Sequence, residues 1–365
     1  MWIAILIAVI IAAVGGLVYL VSRVYKFPFW KKLTGRRWLR IIYAALAVAI
    51  VIAILVPTIG YINAVISLIV LVLFWLVCDL IMFVAGKIRK KRFNGYWAAA
   101  PAFVAAVVYL AVGWALAHNV WVTQYRIETD KEISKLRVIM FADSHIGATF
   151  DGDGFALHVK NIQNQNPDVV IIAGDFIDDG TTKSDMEKAC AALGTLETTY
   201  GVYYSFGNHD KGYYDSRGYS GDDLIAALEK NNVTVLEDEA VLLNDEFYII
   251  GRQDASEAER GEARAEIADI VASLDSEKFM IVIDHQPNDY EKEAKAGVDL
   301  VLSGHTHGGQ LFPITYFGEW IGANDRTYGY ERRNNTQFIV TSGISDWELK
   351  FKTGTKSEFV VIDIE

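Results

Sequence analysis

Residues Ser303–Gly309 read SGHTHGG and follow a short apolar run, Asp299–Leu302, that is typical of a buried strand ending in a glycine turn. Two histidines one residue apart, flanked by three glycines, suit neither a helix nor a strand. They suit a metal site, because imidazoles are common metal ligands and glycines let the backbone bend both rings into one cavity. Taken alone, the stretch is equally compatible with two loop histidines that bind nothing. The choice depends on where the other histidines and acids lie.

The 365-residue chain divides into two parts of opposite charge. Residues 1–120 contain twelve Lys or Arg residues and one acid, Asp79, for a net +11; the whole chain carries −11, so the remainder carries −22. This split favours a basic membrane domain, residues 1–120, and an acidic soluble domain, residues 121–365. We expect no binding to nucleic-acid polymers, because the acidic domain would repel them. The two cysteines, Cys78 and Cys190, exclude a disulfide framework and a Cys-based zinc site.

Four apolar runs of about 20 residues are long enough to cross a bilayer as helices. They are Trp2–Val21, Ile41–Ile59, Ile62–Ala85 and Trp97–Ala117. The connector of residues 22–40 contains seven Lys or Arg residues and no acid, and the connector of residues 86–96 contains five and no acid. The positive-inside rule places both connectors in the cytoplasm. The sequence therefore predicts a multi-pass cell-membrane protein whose soluble domain is extracytoplasmic.

Asp79 falls inside the third of these runs, where an ionised carboxylate is costly. It is either an ion or proton site, or an acid near the cytoplasmic end that is protonated or meets a basic residue of the next loop. We favour the second interpretation, because a transport pathway normally needs more than one polar group within the membrane.

The soluble domain alternates short apolar runs with polar helical stretches, an order typical of an α/β fold with chemistry at the strand ends. Eight strands are predicted: Val138–Phe141, Val169–Ile172, Val202–Tyr204, Phe247–Ile250, Met280–Ile283, Leu300–Leu302, Phe338–Val340 and Phe359–Ile362. Five helices are predicted: Phe155–Gln165, Thr182–Leu196, Asp222–Lys230, Glu259–Leu274 and Asp289–Ala296.

Polar clusters follow most of these strands. They read DSH at Asp143–His145, GDFID at Gly174–Asp178, GNHD at Gly207–Asp210 and DHQP at Asp284–Pro287. Together with SGHTHGG, the clusters hold five of the seven histidines: His145, His209, His285, His305 and His307. Each cluster alone could be a turn or a cap, but their joint occurrence favours a metal site.

The donors are carboxylates, imidazoles and one amide, without a thiolate. This set suits two divalent ions such as Mn, Fe or Zn better than a structural zinc or a calcium site. Two metals about 3.5–4 Å apart, bridged by a carboxylate, can activate water for attack on phosphorus and neutralise phosphate charge. A further imidazole near the leaving oxygen can supply a hydrogen bond or a proton.

The combined pattern resembles the five signature blocks of the calcineurin-like metallophosphoesterases: Asp143-x-His145, Gly174-Asp175-x-x-Asp178, Gly207-Asn208-His209-Asp210, His285 and Gly304-His305-x-His307. With its multi-span amino terminus, the chain is most similar to bacterial membrane-anchored members. The resemblance covers nearly all of the soluble domain. It implies a sandwich of two mixed β-sheets flanked by helices, with two metals at the strand ends, preceded here by a four-helix transmembrane region.

The resemblance also implies roles for single residues. Asp143, His145 and His307 would bind the first metal, Asn208, His285 and His305 the second, and Asp175 would bridge the two. His209 would assist the leaving group, and Asp178 would orient His209. The family's protein phosphatases carry an arginine where this chain has Asp179, which argues against a protein phosphatase. Arg252 is a candidate substitute for phosphate contact, with a structural salt bridge to an acid such as Asp254 as the open alternative.

An aromatic segment, Leu311–Ile321 (LFPITYFGEWI), directly follows the last two predicted ligands. We hypothesise that this segment faces the outer leaflet, so that a lipid-linked phosphoester can enter; ordinary packing of a long loop is the alternative. The expected function is hydrolysis of envelope lipid or headgroup phosphoesters outside the cytoplasmic membrane. A soluble-nucleotide phosphodiesterase stays open, as does a membrane sensor or transporter that only binds a phospho-ligand. The sequence leaves open the native substrate, monoester or diester preference, the metals and the oligomeric state.

Overall fold

The computed structural model describes residues 2–90, 96–213, 217–261 and 263–365. The chain forms two compact units, Met1–Val112 and Gly113–Glu365. Lys91 and Arg92, which belong to the second predicted cytoplasmic connector, lie outside the described residues.

The amino-terminal helices are α1 (Trp2–Val24), α2 (Pro28–Leu33), α3 (Arg37–Ile59), α4 (Tyr61–Ile88) and α5 (Ala99–His118). In the described part of the chain, α3, α4 and α5 are long and apolar enough to cross a membrane. The apolar segment found in α1, Ile11–Val24, is shorter. Three of the four predicted spans are therefore present as membrane-length helices. The first predicted span, Trp2–Val21, stays a prediction.

Asp79 of α4 contacts Tyr19 and Arg23, two residues near the carboxyl end of α1. The Tyr19 hydroxyl donates a hydrogen bond to Asp79 Oδ2 at 2.7 Å, and Arg23 Nη2 lies 2.7 Å from the same oxygen. The carboxylate thus has a cationic partner, as the structural interpretation of Asp79 expected. The partner comes from α1 rather than from the next loop, because α1 packs against α4.

Twelve strands form two six-stranded mixed sheets in the described part of the second unit. In chain order they are β1 (Trp121–Ile127), β2 (Leu136–Phe141), β3 (Val169–Ala173), β4 (Val202–Ser205), β5 (Val233–Val235), β6 (Glu239–Leu243), β7 (Phe247–Gly251), β8 (Phe279–Ile283), β9 (Leu300–Ser303), β10 (Gly329–Arg333), β11 (Thr336–Val340) and β12 (Glu358–Ile364). The first sheet has the order β1-β12-β2-β3-β4-β5 and the second the order β10-β11-β9-β8-β7-β6.

All eight predicted strands are present, and the four that the sequence did not predict are the four sheet edges: β1, β5, β6 and β10. Edge strands carry exposed polar residues, and β10, with the sequence GYERR, is an example. β10 lacks the continuous apolar run by which the buried parallel strands are recognised, whereas β6, with the sequence EAVLL, contains a short one that was not recognised as a strand.

The two sheets pack face to face through fully buried aliphatic side chains, among them Val138 and Ile171 of the first sheet and Ile281, Ile283 and Leu302 of the second. Burying each of these side chains contributes roughly 2 kcal/mol of hydrophobic free energy. Helices cover the outer faces of this sandwich. The prediction of an α/β double-sheet sandwich is confirmed.

The helices of the second unit are α6 (Gly152–Gln163), α7 (Lys183–Leu193), α8 (Gly221–Lys230), α9 (Ile267–Val271), α10 (Tyr290–Ala296) and α11 (Phe317–Trp320). The predicted helix Glu259–Leu274 is wrong in its extent. A 3-10 helix, Ala255–Arg260, ends at Gly261, whose φ of 84° is left-handed, and only the short α9 follows. Glu262 lies outside the described residues.

The topology brings the polar clusters together. Strands β2, β3 and β4 are parallel neighbours in one sheet, and β8 and β9 are parallel neighbours in the other. Because parallel strands end at the same edge of a sheet, their carboxyl ends carry the clusters to a common place. Backbone hydrogen bonds join the loops: Asp143 N–H donates to Gly174 O at 3.0 Å, and Gly304 N–H to His285 O at 3.0 Å.

Candidate metal centre

The loops that carry the predicted ligands have unusual backbones. Five of the seven predicted ligands have a positive φ: Asp143, His145, Asp175, His305 and His307. A left-handed conformation costs a non-glycine residue roughly 1–2 kcal/mol and persists only where the surroundings impose it. Such strain gathers at functional sites, where it aims side chains that an extended strand would direct elsewhere.

Six side chains form two groups of possible metal ligands. One ligand atom each of Asp143, His145 and His307 lies within 4.8 Å of the others, and the same holds for Asp175, His285 and His305. Asn208 joins the second group, since its Oδ1 lies 2.9 Å from His305 Nδ1. The structure thus brings together all seven residues that the sequence predicts as ligands.

Asp175 faces both groups. Its Oδ2 lies 3.7 Å from His145 Nε2 and 3.1 Å from His285 Nε2. Burial acts to raise the pKa of Asp175, but the imidazoles of His285 and His145 outweigh it and hold the pKa below its usual range. A buried carboxylate between two sets of donors is placed as a bridging ligand would be.

The imidazoles are prepared to bind cations. Both ring nitrogens of His145 and Nδ1 of His307 are buried and have no hydrogen-bond partner among the described residues. Buried polar atoms are almost always hydrogen-bonded, so several unpaired nitrogens in one pocket need another partner. Burial lowers the pKa of His145 to about 3 and that of His305 to about 4. Neutral rings of this kind fit metal coordination.

His209 lies beside the ligand groups without belonging to them. Its backbone N–H donates to Asp175 Oδ1 at 2.8 Å, and its half-buried ring lies 5.2 Å from the His145 ring. Asp178 faces His145 instead, with Oδ2 3.6 Å from His145 Nδ1, and its Oδ1 accepts from Gly180 N–H at 2.7 Å. Among the described residues His209 Nδ1 has no hydrogen-bond partner. Orientation of His209 by Asp178 therefore stays a prediction.

Arg252 is held in an ion cluster. Its Nη1 lies 2.8 Å from Asp284 Oδ2, 2.9 Å from Asp289 Oδ2 and 3.5 Å from Glu293 Oε1, and the residue is only 2% exposed. This geometry favours the structural salt bridge over phosphate contact. Asp254, the partner suggested from the sequence, is not among the partners of Arg252; its carboxylate accepts a hydrogen bond from Gln286 Nε2 at 2.9 Å.

Asp210 has a structural part in the site that sequence reasoning missed, although it stands in the GNHD cluster. Its buried carboxylate accepts hydrogen bonds from the backbone N–H groups of Asp175 at 2.8 Å, Gly207 at 2.7 Å and Ile177 at 3.0 Å. It therefore fixes the loop of Asp175 to the loop of His209. The sequence signal for Asp210 is that it is an acid within the GNHD cluster to which no ligand role is assigned.

The aromatic segment Leu311–Ile321 is exposed. Phe312 is 65% exposed and Trp320 69%, and Ile314, Tyr316 and Phe317 are exposed as well. Its start is tied to the end of α5: Phe312 N–H donates to Thr353 Oγ1 at 3.0 Å, and the neighbouring Lys352 N–H donates to Gly113 O at 3.0 Å. An apolar surface of this size on a soluble protein usually marks an interaction site.

Comparison with known proteins identifies the family. A family model described as calcineurin-like phosphoesterase matches residues 136–309. An uncharacterized metallophosphoesterase of Aquifex aeolicus is 32% identical over 199 residues, which cover 53% of this chain and 72% of that protein. An uncharacterized metallophosphoesterase of Campylobacter jejuni is 28% identical over 297 residues, covering 80% of this chain and 76% of its own. The chain belongs to the calcineurin-like phosphoesterase family.

The protein is accordingly a metal-dependent phosphoesterase of a family that generally binds two divalent metals, and the resemblance stated from the motifs is confirmed. A transmembrane protein with a metallophosphoesterase domain from Danio rerio is 28% identical over 243 residues, covering 64% of this chain and 54% of that protein. Together with the three apolar helices, this similarity indicates membrane association.

Proposed function

We propose that this protein is a membrane-bound dinuclear phosphoesterase whose residues 121–365 hydrolyse phosphoester bonds outside the cytoplasmic membrane. The observation that carries the proposal is the position of Asp175 between two groups of imidazoles and carboxylates. A site that only recognised phosphate would need hydrogen-bond donors and cations. It would not need two sets of imidazoles and acids arranged about one carboxylate.

In this proposal Asp143, His145 and His307 hold one ion, Asn208, His285 and His305 hold the other, and Asp175 contacts both. Two divalent ions, Mn, Fe or Zn, would polarise the phosphate and activate water. The protein supplies the rest. The strained, cross-linked loops keep the ligands in place before substrate arrives, and His209 donates a proton to the leaving oxygen.

The domain boundary near residue 120 and the topology belong to the proposal. α1 has 23 residues and would complete a four-span bundle with α3, α4 and α5. The seven basic residues of the connector 22–40 favour a cytoplasmic position for that connector. With four spans, the chain after α5 then emerges on the outer side.

We further propose that the substrates are envelope lipid or headgroup phosphoesters. The exposed aromatic segment follows His305 and His307 directly and is tied to the last turns of α5, a helix of membrane length. Aromatic side chains are enriched where a membrane meets water. In this proposal the segment faces the outer leaflet and lets a lipid-linked phosphoester enter the site.

The test is a substrate screen with full-length protein in lipid nanodiscs, loaded in turn with Mn, Fe or Zn. Lipid phosphoesters, nucleotide phosphoesters and a soluble chromogenic diester are compared. We expect turnover of the lipid substrates, loss of at least 100-fold in Asp175→Asn, and normal turnover in Asp153→Asn, an exposed acid that pairs with Lys188. Turnover of nucleotides alone would contradict the lipid assignment, and metal binding without any turnover would contradict an enzyme.

A further inference from the structure

Two exposed aromatic rings enclose His209. The Tyr213 ring centroid lies 5.1 Å from the His209 ring at an interplanar angle of 77°, and the Trp347 ring centroid lies 5.0 Å away at 48°. Both side chains are 50% exposed. Neither residue belongs to a sequence motif considered above, and they come from segments more than 130 residues apart. Large aromatic surfaces left open to water beside a proton donor are suited to contact with a ligand.

Tyr213 is fixed by the metal centre itself. Its hydroxyl accepts a hydrogen bond from Asn208 Nδ2 at 2.8 Å, which leaves Asn208 Oδ1 directed toward His305. Its backbone N–H donates to Asp179 Oδ1 at 3.1 Å. Asp179, which stands where protein phosphatases of the family have an arginine, thus holds the backbone of an aromatic residue. Tyr213 is therefore held both at its hydroxyl and at its backbone N–H.

Trp347 directly follows a buried, ion-paired aspartate. The neighbouring Asp346 forms an ion pair of 3.0 Å with the fully buried Lys352 and accepts from Gln310 Nε2 at 3.1 Å. Gln310 immediately precedes the exposed aromatic segment. A hydrogen-bonded connection therefore runs from the segment proposed to face lipid to the tryptophan that packs on His209.

We propose that Tyr213 and Trp347 form a leaving-group clamp, which receives the apolar part of the departing alcohol and holds it against His209. This inference rests on the proposed function and defines the substrate class further: the leaving group is an uncharged alcohol with an apolar surface next to the ester oxygen. During hydrolysis the bond from phosphorus to the leaving oxygen breaks, water supplies the new oxygen on phosphorus, and His209 protonates the alcohol. Tyr213 and Trp347 act as positioning residues that determine specificity.

The test compares two esters that differ only in apolar surface, n-hexyl phosphate and methyl phosphate, with released phosphate as the readout. If the enzyme prefers diesters, di-n-hexyl phosphate and dimethyl phosphate are compared instead, with released alcohol as the readout. We expect the wild type to prefer the hexyl ester, because the clamp would remove the methylene groups of the hexyl chain from water. Trp347→Ala should lower kcat/KM for the hexyl ester about tenfold and that for the methyl ester less than threefold. Tyr213→Ala, which also loses the contact with Asn208, should lower both rates and reduce the hexyl-to-methyl ratio of kcat/KM. Tyr213→Phe keeps the ring and should keep the hexyl preference, even where loss of its contact with Asn208 lowers both rates.

Tyr330→Ala is the matched control. It removes a 39% exposed aromatic ring that stacks on Tyr125 at a sheet edge, and it should leave both esters unchanged. Metal content and melting temperature of each variant show whether the centre is intact. Equal losses on both esters in Trp347→Ala, or a wild type without preference, would overturn the clamp and leave the proposed function standing. A wild type that loads metals and hydrolyses neither ester form nor any lipid would overturn both.

Discussion

The backbone N–H of Asp175 donates to the carboxylate of Asp210 at 2.8 Å, so an acid outside the ligand set holds the candidate bridging ligand in position. The same carboxylate accepts from the Gly207 N–H at 2.7 Å. Two loops from neighbouring strands, of which the Asp175 loop is strained, are therefore joined beside the candidate metal centre. The geometry of the bridge depends on this buried acid as much as on Asp175 itself.

Replacing Asp210 should damage the centre without removing a ligand. In Asp210→Ala three buried N–H groups lose their acceptor, which we expect to lower the free energy of unfolding by about 3 kcal/mol. Metal occupancy should fall as well, because the Asp175 loop is no longer held. Denaturant unfolding and metal analysis measure the two effects. Asp223→Ala, which removes an exposed helix-capping acid of α8, serves as control and should lose only about 1 kcal/mol, with full metal content. Full occupancy in Asp210→Ala would contradict the structural role.

Arg252 is expected to support the fold rather than bind phosphate. Arg252→Ala leaves Asp284, Asp289 and Glu293 without their shared cation, and breaking a buried ion pair in this way costs about 3–5 kcal/mol. We expect a large loss of stability in denaturant unfolding. Arg252→Lys keeps the charge, and its folded protein should show an unchanged KM. A stable Arg252→Lys with a KM raised tenfold or more would instead favour phosphate contact.

Gly309 has a conformation and a packing position that only glycine can take. Its φ is +68°, and an added Cβ would lie 1.8 Å from the carbonyl oxygen of Thr315. Gly309→Ala should therefore displace the aromatic segment relative to His307 and reduce metal occupancy and turnover. Gly297→Ala is the matched control, because Gly297 has a similar φ of +76° and nothing within 4 Å of an added Cβ. The control should lose only about 1 kcal/mol of stability and no activity. If both variants lost metal occupancy and turnover equally, backbone strain and not the close contact with Thr315 would explain the loss.

The sequence predicts the interior of this fold much better than its periphery. Every strand flanked by two neighbours was predicted, because burial on both faces leaves an unbroken apolar run. Each of the four edge strands was missed: polar residues interrupt β1 and β10, β5 has only three residues, and the short apolar run of β6 was not recognised. The predicted ligands were found because they stand at strand ends in recognisable clusters.

The supporting residues could not be found in this way. Asp210 and Arg252 act through partners that are distant in sequence, 32 residues away for Arg252 and Asp284. Tyr213 and Trp347 meet only across His209 in the folded chain. No local pattern marks such residues, since their contacts exist only in the folded chain.

The last prediction concerns the aromatic segment. Phe317→Ser together with Trp320→Ser removes two exposed apolar side chains and should lower activity on lipid phosphoesters at least tenfold, while activity on a soluble chromogenic diester changes less than twofold. The reason is that these side chains would contribute to the position of lipid and not to the chemistry, which depends on residues around Asp175. Leu157→Ser is the control, because Leu157 is 60% exposed on α6 and belongs to neither group of ligands.

A single cysteine with an environment-sensitive dye at position 317 gives an independent readout. Its emission should shift to the blue and be quenched by lipids that carry a quencher near the headgroup, whereas a dye at position 157 should show neither effect. Equal losses on lipid and soluble substrates, with a dye at 317 that reports water, would mean that the segment does not meet the bilayer.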